Sequence, residues 1–293
     1  MGMMSCIKPL GYLKFSSYQL KLGTQKAGKG AKEGWSNKYE KDRSKDNDPE
    51  VTPDPIAAMF FTPQVASNPN HLKTCNEIGN NFKDFHDAML DAIEFAHNQW
   101  KLQAKIQDLQ VMAVSAIGSP GCLKGPEMES LIKNAPSVAS FTGNKQKHRD
   151  AVAKGVSKCF KDYQDNVMVP GLPWYPLFAA FPGPMAPPTP NIPVPLIACP
   201  STKCTSVFMG DDMTKAMDDA LDSDLKDKDP EKHYHALHDS IATVASLAFL
   251  IWNPSQMVMA VLGKGPVPSF APPFVPVGPV AGGDNTGAAN VIA

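Results

Sequence analysis

Apolar residues recur at three- and four-residue steps along one stretch of the chain: Phe82, Phe85, Met89, Ala92, Ile93, Ala96 and Trp100. That period places them on one face of a helix and predicts an amphipathic helix over 76–114. Asp84, Asp87, Asp91 and Glu94 fall mostly off the stripe, and Gly118 and Pro120 supply the stop. Val152, Val156, Cys159, Phe160 and Tyr163 repeat the pattern and predict a helix over 144–166, ended by Val169-Pro170-Gly171. A short acidic helix is expected over 211–225 and a last one over 230–252. The second half of that last helix, IATVASLAFLIW, is apolar nearly all round, a pattern shared by core helices and lipid-inserted segments. Asn253-Pro254 is expected to break it.

Two of these helices match each other. HDAMLDAIEFAHNQW runs from His86 to Trp100, and HDSIATVASLAFLIW runs from His238 to Trp252. The middle helix offers His148-Arg149-Asp150 and ends at Tyr163. Each is followed by a Val-Met pair and then a Gly/Pro segment. The pattern predicts three diverged copies of one unit, a helix followed by a Pro/Gly arm.

The segments between helices are unusual. Residues 167–202 contain eleven prolines and no charge, yet carry Trp174, Tyr175, Leu177, Phe178 and Phe181. Internal prolines forbid a membrane helix and confine the chain to extended or edge positions. Left exposed, such a stretch would form an apolar patch beyond what monomers tolerate. PVPSFAPPFVPVGPVAGG forms a second run of this kind over 265–283. Trp174, Tyr175, Phe178 and Phe181 in the first arm, with Phe270 and Phe274 in the second, are the anchors expected to meet other subunits.

The expected fold is therefore mainly α: a helical core of helix-plus-arm units, with long extended proline-rich segments. Residues 1–56 read as a polar Lys/Gly-rich tail, 57–264 as the core including arm 167–202, and 265–293 as a C-terminal arm with a small polar end.

Composition narrows the function. The 293 residues carry a net charge of −1 and no basic stripe, so no nucleic-acid partner is expected. Six cysteines in a chain this long do not make a disulfide scaffold, although Cys199 and Cys204 are close enough for a small loop. MGMMSCIKPLGYLKF lacks the apolar region of a secretory signal, and Cys6 stands where a myristoylation signal wants Ser or Thr. Synthesis in the cytoplasm is expected.

Candidate chemistry is thin. EKHYHALHD brings together His233, His235, His238 and Asp239; on a helix the last three share a face, a donor set suited to zinc or iron. A solvated first helical turn accounts for the same residues. GTQKAGK lacks the hydroxyl after its lysine that a phosphate loop needs, and the acidic run near 211–229 lacks the turn glycine of a calcium loop. No nucleophile elbow, zincin motif or dinucleotide fingerprint is present. No catalytic residue and no cofactor is expected, a metal at the histidine cluster being the one alternative.

FPGPMAPPTPNIPVPL, GPVPSFAPPFVPVGPV and the polar N-terminal tail give the chain a compositional resemblance to structural proteins of tailed phages and of phage-tail-like contractile injection systems. The resemblance implies a non-enzymatic structural or assembly component of a large complex, a homo-oligomer or multi-protein assembly, with proline-rich arms on its neighbours. The competing expectation is a membrane-active effector or pore-former inserting the uncharged segment 240–263, which would make the membrane a partner.

Overall fold

A computed structural model describes residues 3–20, 52–63, 69–112, 115–173, 185–266, 270–271, 275–276, 284–286 and 291–292. The protein is mainly α. In chain order the helices are α1 (Lys8–Ser16), α2 (Ala57–Phe60), α3 (Pro69–Gln103), α4 (Met128–Lys133), α5 (Gly143–Asp165), α6 (Thr205–Phe208), α7 (Gly210–Ala220), α8 (Ser223–Asp227) and α9 (His233–Ser255).

The three long helices α3, α5 and α9 run in the same direction and stay in level. At one end Phe85 meets His148 at 6.2 Å between ring centres, and His148 meets His238 at 6.3 Å. At the other end Trp100 meets Phe160 at 4.8 Å and Trp252 at 6.2 Å. There Asn253 donates to the Tyr163 hydroxyl at 2.8 Å, and the Trp100 indole donates to Gln164 at 2.7 Å. The expected repeat thus has a spatial counterpart. His86, His148 and His238 belong to the end where α5 and α9 begin, and Trp100, Tyr163 and Trp252 to the end where all three helices stop. Trp100 and Trp252 share one aromatic cluster with His97, Phe160 and Phe249. They differ in that the Trp252 Nε1 has no hydrogen-bond partner among the described residues.

α1 and α7 lie antiparallel to α9. Met213, Ala216 and Met217 of α7 are buried, and α7 packs on both α5 and α9. α1 crosses α3 and α9 at very short range: a Cβ on Gly11 would collide with the His86 Nε2 and press on Val244. Four polar side chains then pin it. Lys8 pairs with Asp91 at 2.7 Å, and Lys14 with Asp239 at 3.0 Å. The Tyr12 hydroxyl donates to Asp87 at 2.7 Å, and the Tyr18 hydroxyl to Asp239 at 2.5 Å. Tyr12 and Phe15 on its inner face, and Met4 just before it, are buried. Residues 3–20 therefore belong to the helical body, and a boundary at residue 56 does not separate them from it. The Lys/Gly-rich part of the expected tail lies outside the described residues over 21–51.

Two expectations fail in detail, and both failures involve short strands. Periodicity predicts a first helix reaching 114, but α3 ends at Gln103. The chain continues into β1 (Lys105–Ile106), β2 (Gln110–Met112), β3 (Ser115–Gly118) and β4 (Leu123–Lys124). Asp108 takes a left-handed conformation at φ 60°, which breaks any helix there. The arm expected over 167–202 is not extended free chain along its described length. β5 (Val169–Pro173) pairs with β3, β6 (Met185–Pro190) with β9 (Leu262–Pro266), and β7 (Val194–Pro195) with β8 (Met257–Val258). Val167, Val169, Leu172, Leu196 and Cys199 are buried.

The three-stranded orders are β2-β3-β5 and, with β12 (Asp284–Thr286), β12-β9-β6. The proline-bearing β5 and β6 are both edge strands, which is where a residue without an N–H fits. β10 (Phe270–Ala271) and β11 (Val275–Pro276) pair with each other.

The apolar half of α9 is buried core. Ile241, Ala242, Val244, Ala245, Ala248 and Phe249 have no exposed surface. Among the described residues no helix is long and apolar enough to cross a membrane.

Replacing Gly11 by alanine tests the α1 contact. The added methyl has no room above the His86 ring, which is itself wedged in the core, so overpacking should cost about 1–3 kcal/mol. Urea unfolding should show a lowered midpoint with helix content close to that of the wild type. An unchanged midpoint would mean that α1 does not sit on His86.

Candidate functional site

The residues expected as metal ligands are taken up by partners from other parts of the chain. His233 Nδ1 lies 2.6 Å from Asp229, whose other oxygen accepts from the Tyr234 backbone N–H and so caps α9. His235 and His238 both turn their Nδ1 atoms to Asp218 of α7, at 2.6 and 2.8 Å. Asp239 is taken up by Lys14 of α1 and by Tyr18 just beyond it. Among the described residues no group of three or more His, Cys, Asp or Glu is placed to hold a metal ion. The expected helical placement of these residues is present, but Asp218 of α7 holds two of the histidines, Asp229 holds the third, and Lys14 and Tyr18 hold Asp239. All six cysteines are free, Cys199 and Cys204 included.

Of the expected interaction anchors, Trp174, Tyr175, Phe178, Phe181 and Phe274 lie outside the described residues. Phe270 falls in β10, with its backbone opposite Pro276.

A cavity of about 210 Å³, unmarked in the sequence, opens where α3, α5 and α9 come together. Phe82 and Phe85 line it from α3, Tyr234 and Leu237 from α9, and His148 from α5. Asn81, Asn144, Lys145, Asp229 and His233 complete the lining. Phe85 is held against His148 on one side and stacks on Phe141 at 5.6 Å on the other. The surface inside is overwhelmingly apolar.

The histidines around this end are held neutral. Burial lowers His148 to about 4, helped by its neighbour His238. His238 and His86 are also lowered, because loss of solvent outweighs the carboxylates of Asp218 and Asp87. At the opposite end burial lowers His97 to about 3, and Lys101 adds to the effect. Asp218 and Asp87 are themselves lowered despite their burial, since imidazoles and the Tyr12 hydroxyl donate to them.

The Asp218–His238 pair resembles half of a proton relay. The His238 ring, however, is fully buried and its Nε2 has no partner among the described residues, so a substrate does not reach it. His148 is the one imidazole that combines an unpartnered nitrogen with a place in the cavity wall. No family model, no curated protein and no solved structure matches this chain.

The neutral histidines set the acid response. Each has a folded-state value below the ordinary histidine value of ~6.5. Their contribution to stability is therefore complete above that pH and is lost as the pH falls toward about 4 for His148 and about 3 for His97. The urea midpoint should drop between pH 7 and pH 5. Replacing His97 by phenylalanine should reduce that drop, and a midpoint independent of pH over this range would contradict the assignment.

Proposed function

We propose that the protein is a non-enzymatic assembly component of a large complex, of virion, phage-tail or injection-machine type, that meets neighbouring subunits through its proline-rich segments. The observation that carries this reading is how those segments are rooted. Residues 174–184 leave from β5 and return into β6, both bound to the body by strand pairing. The Pro173 carbonyl accepts from Ile192, and Asn191 donates to the Val258 carbonyl just beyond the end of α9. The apolar, uncharged stretch thus issues from a fixed base at the end of the bundle where the helices stop.

A second feature lies near that base. Leu250 and Ile251 of α9 are about half exposed (48% and 49%), and Ile197 is 61% exposed. They extend the apolar character of the arms onto the body. A protein that contacts its neighbours through aromatic anchors on proline-stiffened chain orders few side chains on binding, which favours a stable contact. The membrane reading has less support, because the segment it relies on, 240–263, is mostly the buried part of α9.

Cutting the anchors tests the proposal. Buried aromatic anchors commonly contribute ~2 kcal/mol or more each to an interface. The double change Trp174→Ala with Phe178→Ala should therefore abolish assembly, as read by sedimentation velocity, while circular dichroism and melting of the subunit stay near wild type. A wild-type oligomer with a less stable subunit would sink the assembly reading. Loss of vesicle binding with assembly intact would favour the membrane alternative.

A further inference from the structure

An arm that docks on a neighbouring subunit needs a receiving surface, and α9 offers one. Leu247, Leu250, Ile251 and Pro254 stand at i, i+3, i+4 and i+7 and so share one face of the helix. Leu250, Ile251 and Pro254 are exposed and Leu247 is partly so, while Ala248, Phe249 and Trp252 between them are buried. Single apolar side chains on a surface need no explanation, but four on one helical face make a continuous strip. α1 crosses α9 at Val244, and Gly210 at the start of α7 lies against Ala242 and Thr243. The strip begins one turn further along the helix.

Charge, position and length select its occupant. Ser240 to Ser255 carry no charged residue, and neither do residues 174–184. Contact between them buries no ion and needs no counter-charge. Pro176, Pro182 and Pro184 have no N–H, so few backbone donors lose water when that segment docks.

The segment is rooted at the end of the body that carries the strip. The Pro173 carbonyl accepts from Ile192 at 2.8 Å, and the neighbouring Asn191 donates to the Val258 carbonyl at 3.1 Å, just past the end of α9. From Leu247 to Pro254 the strip is about 10 Å long at 1.5 Å per residue. A chain of this length that leaves and returns to one base extends roughly 15–20 Å from it, enough to cover the strip. With root and strip at one end, a two-fold axis through that end lets each subunit's arm lie on the other's strip. The contact is then made twice in every pair.

We propose that the exposed face of α9, centred on Leu250 and Ile251, is the docking surface for residues 174–184 of a second copy of this chain. Trp174, Phe178 and Phe181 of the arriving segment lie against it. This rests on the assembly reading and adds the receiving surface to it.

A photo-crosslinker reports the neighbour directly. With p-benzoylphenylalanine in place of Ile251 in the full-length protein, irradiation should give a product of twice the chain mass. Digestion should find the link in residues 174–184. A link to that segment within a single chain would overturn the proposal, as would a link elsewhere or none. Leu250→Asp with Ile251→Asp should shift sedimentation to that of the lone subunit and leave circular dichroism unchanged, because both side chains lie outside the core. Mixed with the Trp174→Ala, Phe178→Ala variant, this protein should regain pairs, since one intact arm then meets one intact strip. Undiminished assembly of the aspartate variant, or no recovery on mixing, would also overturn it. Should the aspartates disturb folding, the crosslink still decides. A wild-type chain that sediments as a lone subunit sinks both readings. An assembled wild type with no link from position 251 to 174–184 sinks only this docking surface.

Discussion

Between Ile241 and Trp252 helix α9 presents apolar side chains on almost every face, and such a helix has to be surrounded. The rest of the architecture answers that demand. α3 and α5 lie beside it in level, and α1 and α7 close the remaining sides in the opposite direction. The short strands cover the end where the three long helices stop. Fully buried side chains such as Ile241, Val244 and Phe249 each contribute about 1.5–3 kcal/mol relative to exposure, so α9 alone supplies a large share of the favourable energy. Among the described residues, Leu250 and Ile251 near the end of α9 are about half exposed.

Surrounding α9 on all sides brings its few polar residues into the core, and their partners arrive from outside the long helices. Asp218 on α7 takes two histidines, Asp239 is met by α1, and Asp229 ties His233 to the start of α9. α1 and α7 therefore do two things at once: they cover apolar surface and they compensate buried polar groups. Compensation is incomplete at five buried atoms among the described residues: the Nε2 atoms of His86, His97 and His238, the Nδ1 of His148 and the Nε1 of Trp252.

The three long helices were legible from periodicity, because a stripe such as Phe82, Phe85, Met89 and Ile93 is only consistent with a helix that buries one face. The meeting of Trp100 with Trp252 was legible for the same reason, since equal spacing on parallel helices in level brings like positions to like depths. α1 was hidden because it is short and its apolar residues do not form one stripe: Leu10 and Leu13 are exposed while Tyr12 and Phe15 are buried. Met4, Tyr12 and Phe15 sit among lysines and serines, and the contact depends on Gly11, whose role is to be absent as a side chain. The strands after α3 resemble helix in the sequence because Ile106 and Leu109 continue the apolar run while the turn at Asp108 leaves only a faint mark. The cavity was invisible in sequence: its walls come from residues near 82, 148 and 234, and no single segment shows them together. The histidine cluster was visible but its meaning was not, because Asp218 and Tyr18, which decide it, stand far from it along the chain.

Native-state hydrogen exchange tests the central position of α9 most directly. If α9 is the enclosed centre of the fold, the amides of Ile241 to Phe249 should be among the slowest in the chain, exchanging only through global unfolding, in plain buffer and equally in the presence of lipid vesicles. Rapid exchange of those amides in buffer, with protection gained only when vesicles are added, would contradict the account and point to a helix that is buried in lipid instead.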